Sequence, residues 1–313
     1  MTTPTGSHRK PAHDKQAKSA GYTVTHWPGE YIKLNGRKFW VEMAGTGDPI
    51  VIIAGGPGSS HGYLHALDFL AEHFRVIFFD AYGCGKTERA KNHGDYTFRG
   101  ALDDLEALRR ALGYRRWSVV GHSYGGLAGQ GYGLTYPQSI AKLVLANTLF
   151  SGEMFQQCCD NANYSLRQQY PEVWAKVAKL RAQGYLSSHP ACQAAVATVD
   201  AGMVYFYNAA NAAKTVFDIN LDVYHQFVGP DAEFHVWGEL AQVDFRSRLK
   251  NLHMPTLITA GRFDRVCFPS LAVQFRRFAP QAQFVMFEKS GHLPFLEETE
   301  KHERLLRSFL RDK

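Results

Sequence analysis

Trp117-Ser118-Val119-Val120-Gly121-His122-Ser123-Tyr124-Gly125-Gly126-Leu127-Ala128-Gly129 is the stretch that decides how this chain folds. Its first four residues form a short strand-like run, its last four a small-residue stretch suited to a helix, and a serine stands at the joint between them. A strand, a sharp turn and a helix follow from that order. A turn this tight forces the serine into a strained backbone conformation. Glycines two residues to either side let the neighbouring strand and helix approach closely. The hydroxyl is then held out over the end of a sheet. A serine at its free pKa is a poor nucleophile, so chemistry here also needs a base, an acid to orient it, and donors for a developing oxyanion.

Working outward, Ile50-Val51-Ile52-Ile53-Ala54 and Val76-Ile77-Phe78-Phe79 are continuous apolar runs, too short for helices and rich in β-formers, as expected of strands buried on two faces of a parallel sheet. Ahead of them, Tyr31 to Leu34, Asn35-Gly36 and Lys38 to Glu42 read as a hairpin, because Asn-Gly adopts the positive φ angles of a type I′ turn. Further strands are expected at Leu143 to Ala146, Thr256 to Thr259 and Phe284 to Phe287. Between strands lie helical patterns such as Leu102, Leu105, Leu108 and Leu112, stopped by Gly113. The alternation predicts an α/β fold with a mostly parallel sheet flanked by helices. It breaks between about 150 and 249, where the chain is helical and aromatic. Residues 150–249 are therefore expected to form an inserted helical cap over the strand ends, and 21–149 with 250–313 the α/β core.

Composition narrows the function classes. Of the net charge of +6, residues 1 to 20 contribute +3 through Arg9, Lys10, Lys15 and Lys18 against Asp14. The remainder is close to balanced, so neither a nucleic-acid footprint nor a nucleic-acid partner is expected. That 1–20 segment, poor in large apolar side chains, reads as a disordered basic tail. No apolar run is long enough for a transmembrane helix and no secretory h-region stands at the N-terminus, so no membrane partner is expected and the reading is cytoplasmic. The five cysteines, irregularly spaced and without CxxC pairs, point away from a disulfide framework or a zinc site.

Two later loops complete the chemistry. Asp264 follows the strand Thr256 to Thr259, and His292 follows the strand Phe284 to Phe287. The chain order Ser, Asp, His, each on a loop at a strand's C-terminal end, is that of the α/β-hydrolase fold. In this arrangement His292 takes the proton of Ser123 and returns it to the leaving group, while Asp264 fixes the imidazole tautomer. The loop Ala54-Gly55-Gly56-Pro57-Gly58 after the strand Ile50 to Ile53 is expected to aim the Gly56 N–H, with that of Tyr124, at the oxyanion.

Gly55-Gly56-Pro57-Gly58, Asp80-Ala81-Tyr82-Gly83-Cys84-Gly85-Lys86-Thr87, the serine elbow and the late Asp and His together resemble the proline iminopeptidase family of α/β-hydrolases, over roughly residues 30 to 312. The resemblance implies hydrolysis of an N-terminal aminoacyl group, often prolyl, from short peptides or amides, without a cofactor. It also implies cap-side carboxylates for the substrate ammonium. Gly229-Pro230-Asp231-Ala232-Glu233-Phe234 is similar to the family's Gly-Pro-x-Glu-Phe segment with one residue added, which makes Glu233 the ammonium candidate; the plainer reading is a solvated acid on a cap helix. An ammonium stripped of water needs such a paired charge.

The sequence departs from the family pattern at Ala54, Ala81 and Arg265, the last standing where a second ammonium-binding acid is often found. Either another cap acid, Asp218, Asp222 or Glu239, takes its place, or the substrate carries less positive charge and Arg265 receives a substrate carboxylate. The substrate class is thus a short peptide or small molecule. An esterase or deacylase of a small metabolite is the first alternative, and a weakly catalytic ligand-binding protein of the same fold the second.

Gly85-Lys86-Thr87 does not complete a phosphate loop, because Asp80 occupies the position of its first glycine. His61 and His65 are four apart, but no Glu follows His61 and no third ligand is apparent, so no metal is expected there. His122 is expected to pack beneath the elbow, and Cys84 to be a small buried hydrophobe. The glycines from Gly125 to Gly133 imply close packing of the helix that carries them.

Overall fold

A strand whose every residue is apolar must be covered on both faces, and the strands of this protein are sorted into two cores by the alternation of their side chains. The computed structural model describes residues 14–19, 22–199 and 201–311. Strands β1 (Asp14–Ser19) and β2 (Tyr22–His26) form an antiparallel pair. The other eight, β3 (Gly29–Leu34), β4 (Arg37–Ala44), β5 (Pro49–Ile53), β6 (Arg75–Phe79), β7 (Trp117–His122), β8 (Ile140–Ala146), β9 (Thr256–Gly261) and β10 (Gln283–Phe287), make one sheet of order β10-β9-β8-β7-β5-β6-β4-β3. β3 and β4 pair antiparallel around Asn35 (φ 50°) and Gly36 (φ 83°), and β4 pairs antiparallel with β6. All pairs from β6 to β10 are parallel.

In β5, Val51 and Ile53 point into a core shared with Leu105 and Leu108 of α1 (Phe98–Ala111) and Leu127 of α2 (Tyr124–Thr135). Ile50 and Ile52 point the other way, against Leu64, Leu67 and Leu70 of the 3₁₀ segment Gly62–Glu72 and Leu306 and Leu310 near the C-terminus. α1 starts where Thr97 accepts the Gly100 N–H and ends before Gly113, whose φ of +75° suits the expected stop. Between β8 and β9 the chain is helical: α3 (Gly152–Gln169), α4 (Pro171–Ala182), α5 (Pro190–Val196), α6 (Ala201–Tyr205) and α7 (Leu221–Val228). After β9 come the short helices α8 (Pro269–Ala272) and α9 (Phe275–Phe278), and after β10 α10 (Pro294–Glu297) and α11 (Thr299–Arg311). No helix among the described residues is long and apolar enough to cross a membrane.

The N-terminal tail needs correction in part. Residues 14–19, expected as part of a disordered segment, form β1 in register with β2, Asp14 opposite His26 and Ser19 opposite Tyr22. The ladder is made by backbone groups and does not require apolar side chains. The hairpin is also anchored at its end, where Trp27 is buried against Phe78 and donates its N–H to Glu42 Oε2 at 2.9 Å. The rest of the tail, residues 1–13 and 20, lies outside the described residues.

Candidate active site

The elbow has the backbone its sequence demands. Ser123 sits at φ 55°, ψ −124°, in the left-handed half of conformational space that a non-glycine residue rarely adopts. A Cβ on Gly121 would lie 2.2 Å from the Gly125 carbonyl oxygen, and one on Gly125 2.2 Å from that of Ile53, so both positions require glycine. The turn is pinned from outside by Ser123 N–H donating to Ala146 O (2.9 Å) and by Thr148 Oγ1 donating to Ser123 O (2.6 Å).

His292 and Asp264 meet behind the serine. Their Nδ1–Oδ2 distance is 2.9 Å, with both side chains buried. The Asp264 carboxylate is fully committed: Oδ1 accepts the Val266 and Cys267 N–H groups at 2.8 and 2.7 Å, and Oδ2 accepts from Asn147 Nδ2 at 3.0 Å as well as from His292. A carboxylate held in this way is fixed in orientation, and so is the imidazole it holds. The Nδ1–H tautomer leaves the Nε2 lone pair available to take a proton. His292 and Ser123 line the same cavity.

Three participants, Asn147, Thr148 and Tyr63, carry no obvious sequence signal, and a fourth, His122, is expected from the sequence only to pack beneath the elbow. Asn147, at φ 47° and buried at the end of β8, donates to both Asp264 Oδ2 and the Gly291 carbonyl (3.1 Å), joining the acid loop to the base loop. Thr148, beside it, holds the elbow. Tyr63 and His122 form a chain: Gly55 N–H donates to Tyr63 Oη (2.8 Å), Tyr63 lies 2.8 Å from His122 Nδ1, and His122 Nε2 lies 2.9 Å from the His292 carbonyl. A carbonyl only accepts, so Nε2 carries the His122 proton and Nδ1 accepts from the Tyr63 hydroxyl. Burial, reinforced by the neighbouring His292, holds His122 well below the ordinary imidazole range, which keeps it neutral in this chain.

The Gly55-Gly56 loop, expected on the oxyanion side, packs on the elbow. A Cβ on Gly55 would lie 3.0 Å from Ser123 Cβ, and Gly56 turns the chain at φ +107°. Tyr124 is the first residue of α2, so its N–H has no partner within the helix. Its side chain points away from the serine cavity, packing on Phe98 and Phe227. Gly55, Gly56, Ser123, His292, Glu233 and Arg265 all line one cavity of about 400 Å³, the largest share of whose wall is apolar and comes from the helical segment between β8 and β9. Cys158, Cys159, Cys192 and Cys267 belong to that wall, and burial pushes their thiols up, so they serve as neutral apolar surface.

Glu233 lies in a turn after α7 rather than on a helix, its carbonyl accepting from Asn163 Nδ2 at 2.6 Å. Of the alternative acids, none lines the cavity: Glu239 accepts the Phe98 N–H at 2.9 Å, Asp222 faces His93 at the surface (3.5 Å), and Asp218 lies with its carbonyl accepting from Ser60 N–H. Arg265 places its guanidinium 3.5 Å from the Phe206 carbonyl. The Gly85–Thr87 segment wraps Asp80, whose carboxylate accepts the Lys86 N–H at 2.9 Å, a structural turn and not a phosphate cradle.

The family model described as the α/β hydrolase fold matches residues 48–299. The chain is 31% identical over 278 residues to the proline iminopeptidase of Lactobacillus delbrueckii subsp. bulgaricus, covering 84% of this chain and 89% of that one. It is 28% identical over 272 residues to the proline iminopeptidase of Heyndrickxia coagulans, covering 85% and 91%. In fold it superposes on the crystal structure of proline iminopeptidase from Mycobacterium smegmatis with a TM-score of 0.73 at 24% identity, over 90% of this chain and 97% of that one.

Proposed function

Because this chain belongs to the proline iminopeptidases of the α/β-hydrolase fold family, we propose that it is a serine hydrolase releasing an N-terminal aminoacyl residue, prolyl among the candidates, from a short peptide or amide. The observation that carries this reading is the conjunction in one cavity of Ser123, the Asp264-held His292 and Glu233, the one carboxylate among the described lining residues.

In the reaction, His292 Nε2 takes the Ser123 proton as Oγ attacks the amide carbonyl. The oxygen that becomes negative is received by the Gly56 and Tyr124 N–H groups, and loss of one such donor costs about 3 kcal/mol of transition-state stabilisation. His292 then gives its proton to the departing amine, and water, deprotonated by the same imidazole, releases the acyl group from Ser123. Asp264 stays ionised throughout and stabilises the imidazolium. Glu233 pairs with the substrate ammonium in an apolar wall where an unpaired charge would be costly.

One observation favours a second reading: among the described residues the cavity is lined by a single acid and also by Arg265, which differs from an ammonium pocket of two carboxylates. A small-metabolite esterase or deacylase, with Arg265 receiving a substrate carboxylate, would use the same serine chemistry. Initial rates on prolyl, alanyl and other aminoacyl anilides, beside their N-acetylated forms and simple acyl esters, separate the two, with Ser123→Ala as the blank. Preference for the free amine supports the aminopeptidase. Activity on esters alone, or indifference to acetylation, overturns it in favour of the esterase.

A further inference from the structure

Away from the serine cavity, four polar side chains converge inside the protein. Glu42 of β4, His61 and His65 at the start of the 3₁₀ segment Gly62–Glu72, and His26 at the end of β2 bring one ligand atom each to within 4.8 Å of all the others. Glu42, His61 and His65 are buried, and His26 is partly exposed at the rim. None of the four lines the serine cavity.

The hydrogen bonds show which atoms face inward. His61 Nδ1 lies 2.7 Å from Asp80 Oδ1 and His65 Nδ1 lies 2.8 Å from Asp68 Oδ1. A carboxylate only accepts, so each Nδ1 carries a proton, and each Nε2 is the ring atom turned toward Glu42, where it would offer a lone pair to a bound cation. The separations are 3.4 Å from His61 Nε2 to Oε1 and 3.2 Å from His65 Nε2 to Oε2, yet neither Nε2 makes a hydrogen bond. Glu42 already accepts the Trp40 Nε1–H on Oε1 and the Trp27 N–H on Oε2, both at 2.9 Å, and its Oε1 lies 3.0 Å from His26 Nδ1, which donates to it. Two ring nitrogens without hydrogen bonds and a carboxylate thus converge on one buried point, and among the described residues neither Glu42 nor Asp80 pairs with a lysine or arginine. Such a cluster calls for a cation.

We propose that Glu42, His61, His65 and His26 form a structural site for one divalent cation of the zinc class. The donor set of imidazoles and a carboxylate is that of zinc. With metal–nitrogen bonds of about 2.0–2.1 Å, the edge of a tetrahedron is about 3.3 Å, which matches the observed ligand separations. Asp80 and Asp68 supply the second shell that orients histidine ligands in such sites. Sequence spacing hides the site, because His61 and His65 are separated from Glu42 and His26 by a strand and a loop. The cation would fasten the β2 end to β4 and to the 3₁₀ segment. His61 is also the residue at which the loop carrying Gly56 enters that segment, so the site anchors the loop's far end.

The full chain, purified without chelators or metal-affinity resin, is analysed for bound metal, stripped by dialysis against a chelator, and titrated with Zn²⁺ and with Co²⁺. The expected results are stoichiometric zinc, a Tm that falls on stripping and returns with Zn²⁺, and a tetrahedral Co²⁺ visible spectrum. Asp68→Asn, near the surface and outside the ligand set, should weaken zinc binding about 10- to 100-fold without unfolding the chain. His26→Asn should remove the tetrahedral spectrum. Cys267→Ser controls for the other cluster of potential ligands among the described residues, Asp264, Cys267 and His292, and should leave the zinc signal unchanged. Absence of zinc binding and of any Tm response in folded, stripped protein would overturn the proposal and leave the cluster as protonated imidazoles around Glu42. Equal zinc affinity in wild type, His26→Asn and Asp68→Asn would overturn it as well.

Discussion

Asp264→Asn removes one charge and keeps the shape of the side chain, and the structure dictates how the amide must sit. Its oxygen is held at the Oδ1 position by the Val266 and Cys267 N–H groups at 2.8 and 2.7 Å, backbone donors that cannot turn away. The new NH₂ therefore falls where Oδ2 was, facing Asn147 Nδ2 at 3.0 Å and His292 Nδ1 at 2.9 Å. Asn147 can flip, because its Oδ1 has no partner, but the flip gives up its bond to Gly291 O. His292 answers by moving its proton to Nε2, the nitrogen that must accept the serine proton. The wrong tautomer should lower kcat about 10⁴-fold, equivalent to about 5.4 kcal/mol. The lost charge-assisted bonds should destabilise the fold by about 1–3 kcal/mol. The assay is kcat on the best substrate from the aminoacyl anilide panel, with Tm measured on the same preparation. A folded Asp264→Asn protein retaining kcat within tenfold of wild type would refute the reasoning and remove Asp264 from the orienting role.

Glu233→Gln should lower kcat/KM for a free-amine aminoacyl anilide about 10- to 100-fold, the worth of one hydrogen bond to a charged group, and leave the N-acetylated analogue unaffected; equal losses on both would place Glu233 outside ammonium recognition. Asn147→Gly tolerates the φ of 47° while deleting the amide, so kcat should fall about tenfold at constant KM; a change confined to KM would contradict a role in positioning Asp264. His302, buried against Phe287 and Phe295, is lowered by burial from its ordinary 6.5 to about 3. The unfolded chain then binds the extra proton between these values, so this residue makes stability fall as pH drops from about 6.5 toward 3, by roughly 5 kcal/mol in all. Denaturation midpoints of His302→Leu should decline less steeply with acid than those of wild type, and parallel acid limbs would count against the assignment.

The parts of the molecule legible in the sequence are those fixed by neighbours along the chain. β5 to β9 announce themselves as apolar runs because both faces are buried, and Asn35-Gly36 announces its turn because φ there is positive. Ser123 and Asp264 could be named because each stands just beyond such a run, and His292 because it follows the largely apolar but half-exposed β10. The interactions that hold them could not. Asn147 touches Asp264 and Gly291 only because β8 lies beside β9, and Tyr63 reaches His122 only because the 3₁₀ segment folds back over β5 and β7; strand order is not written in any local window. The same limit hid Glu42 and His26 from His61 and His65. Burial of acids was equally illegible: Asp218, Asp222 and Glu239 share a composition-rich segment with Glu233, and only the fold decides that Glu233 alone among them reaches the cavity. Backbone pairing accounts for Asp14–Ser19, where poverty in apolar side chains suggested disorder.

The chain from Gly55 through Tyr63 and His122 to the His292 carbonyl runs in one direction, every member donating forward and accepting from behind. It spans the top of the sheet from the end of β5 to the end of β10, strands separated by β7, β8 and β9. Such a strut ties the loop of Gly55 and Gly56, proposed to receive the oxyanion, to the loop of His292, the proposed base. When the sheet breathes, its twist changes most between distant strands, and two independent loops would drift apart by the sum of those changes. Joined by these hydrogen bonds, the two loops would move together instead, which would hold the proposed anion receiver at a constant spacing from the proposed proton acceptor.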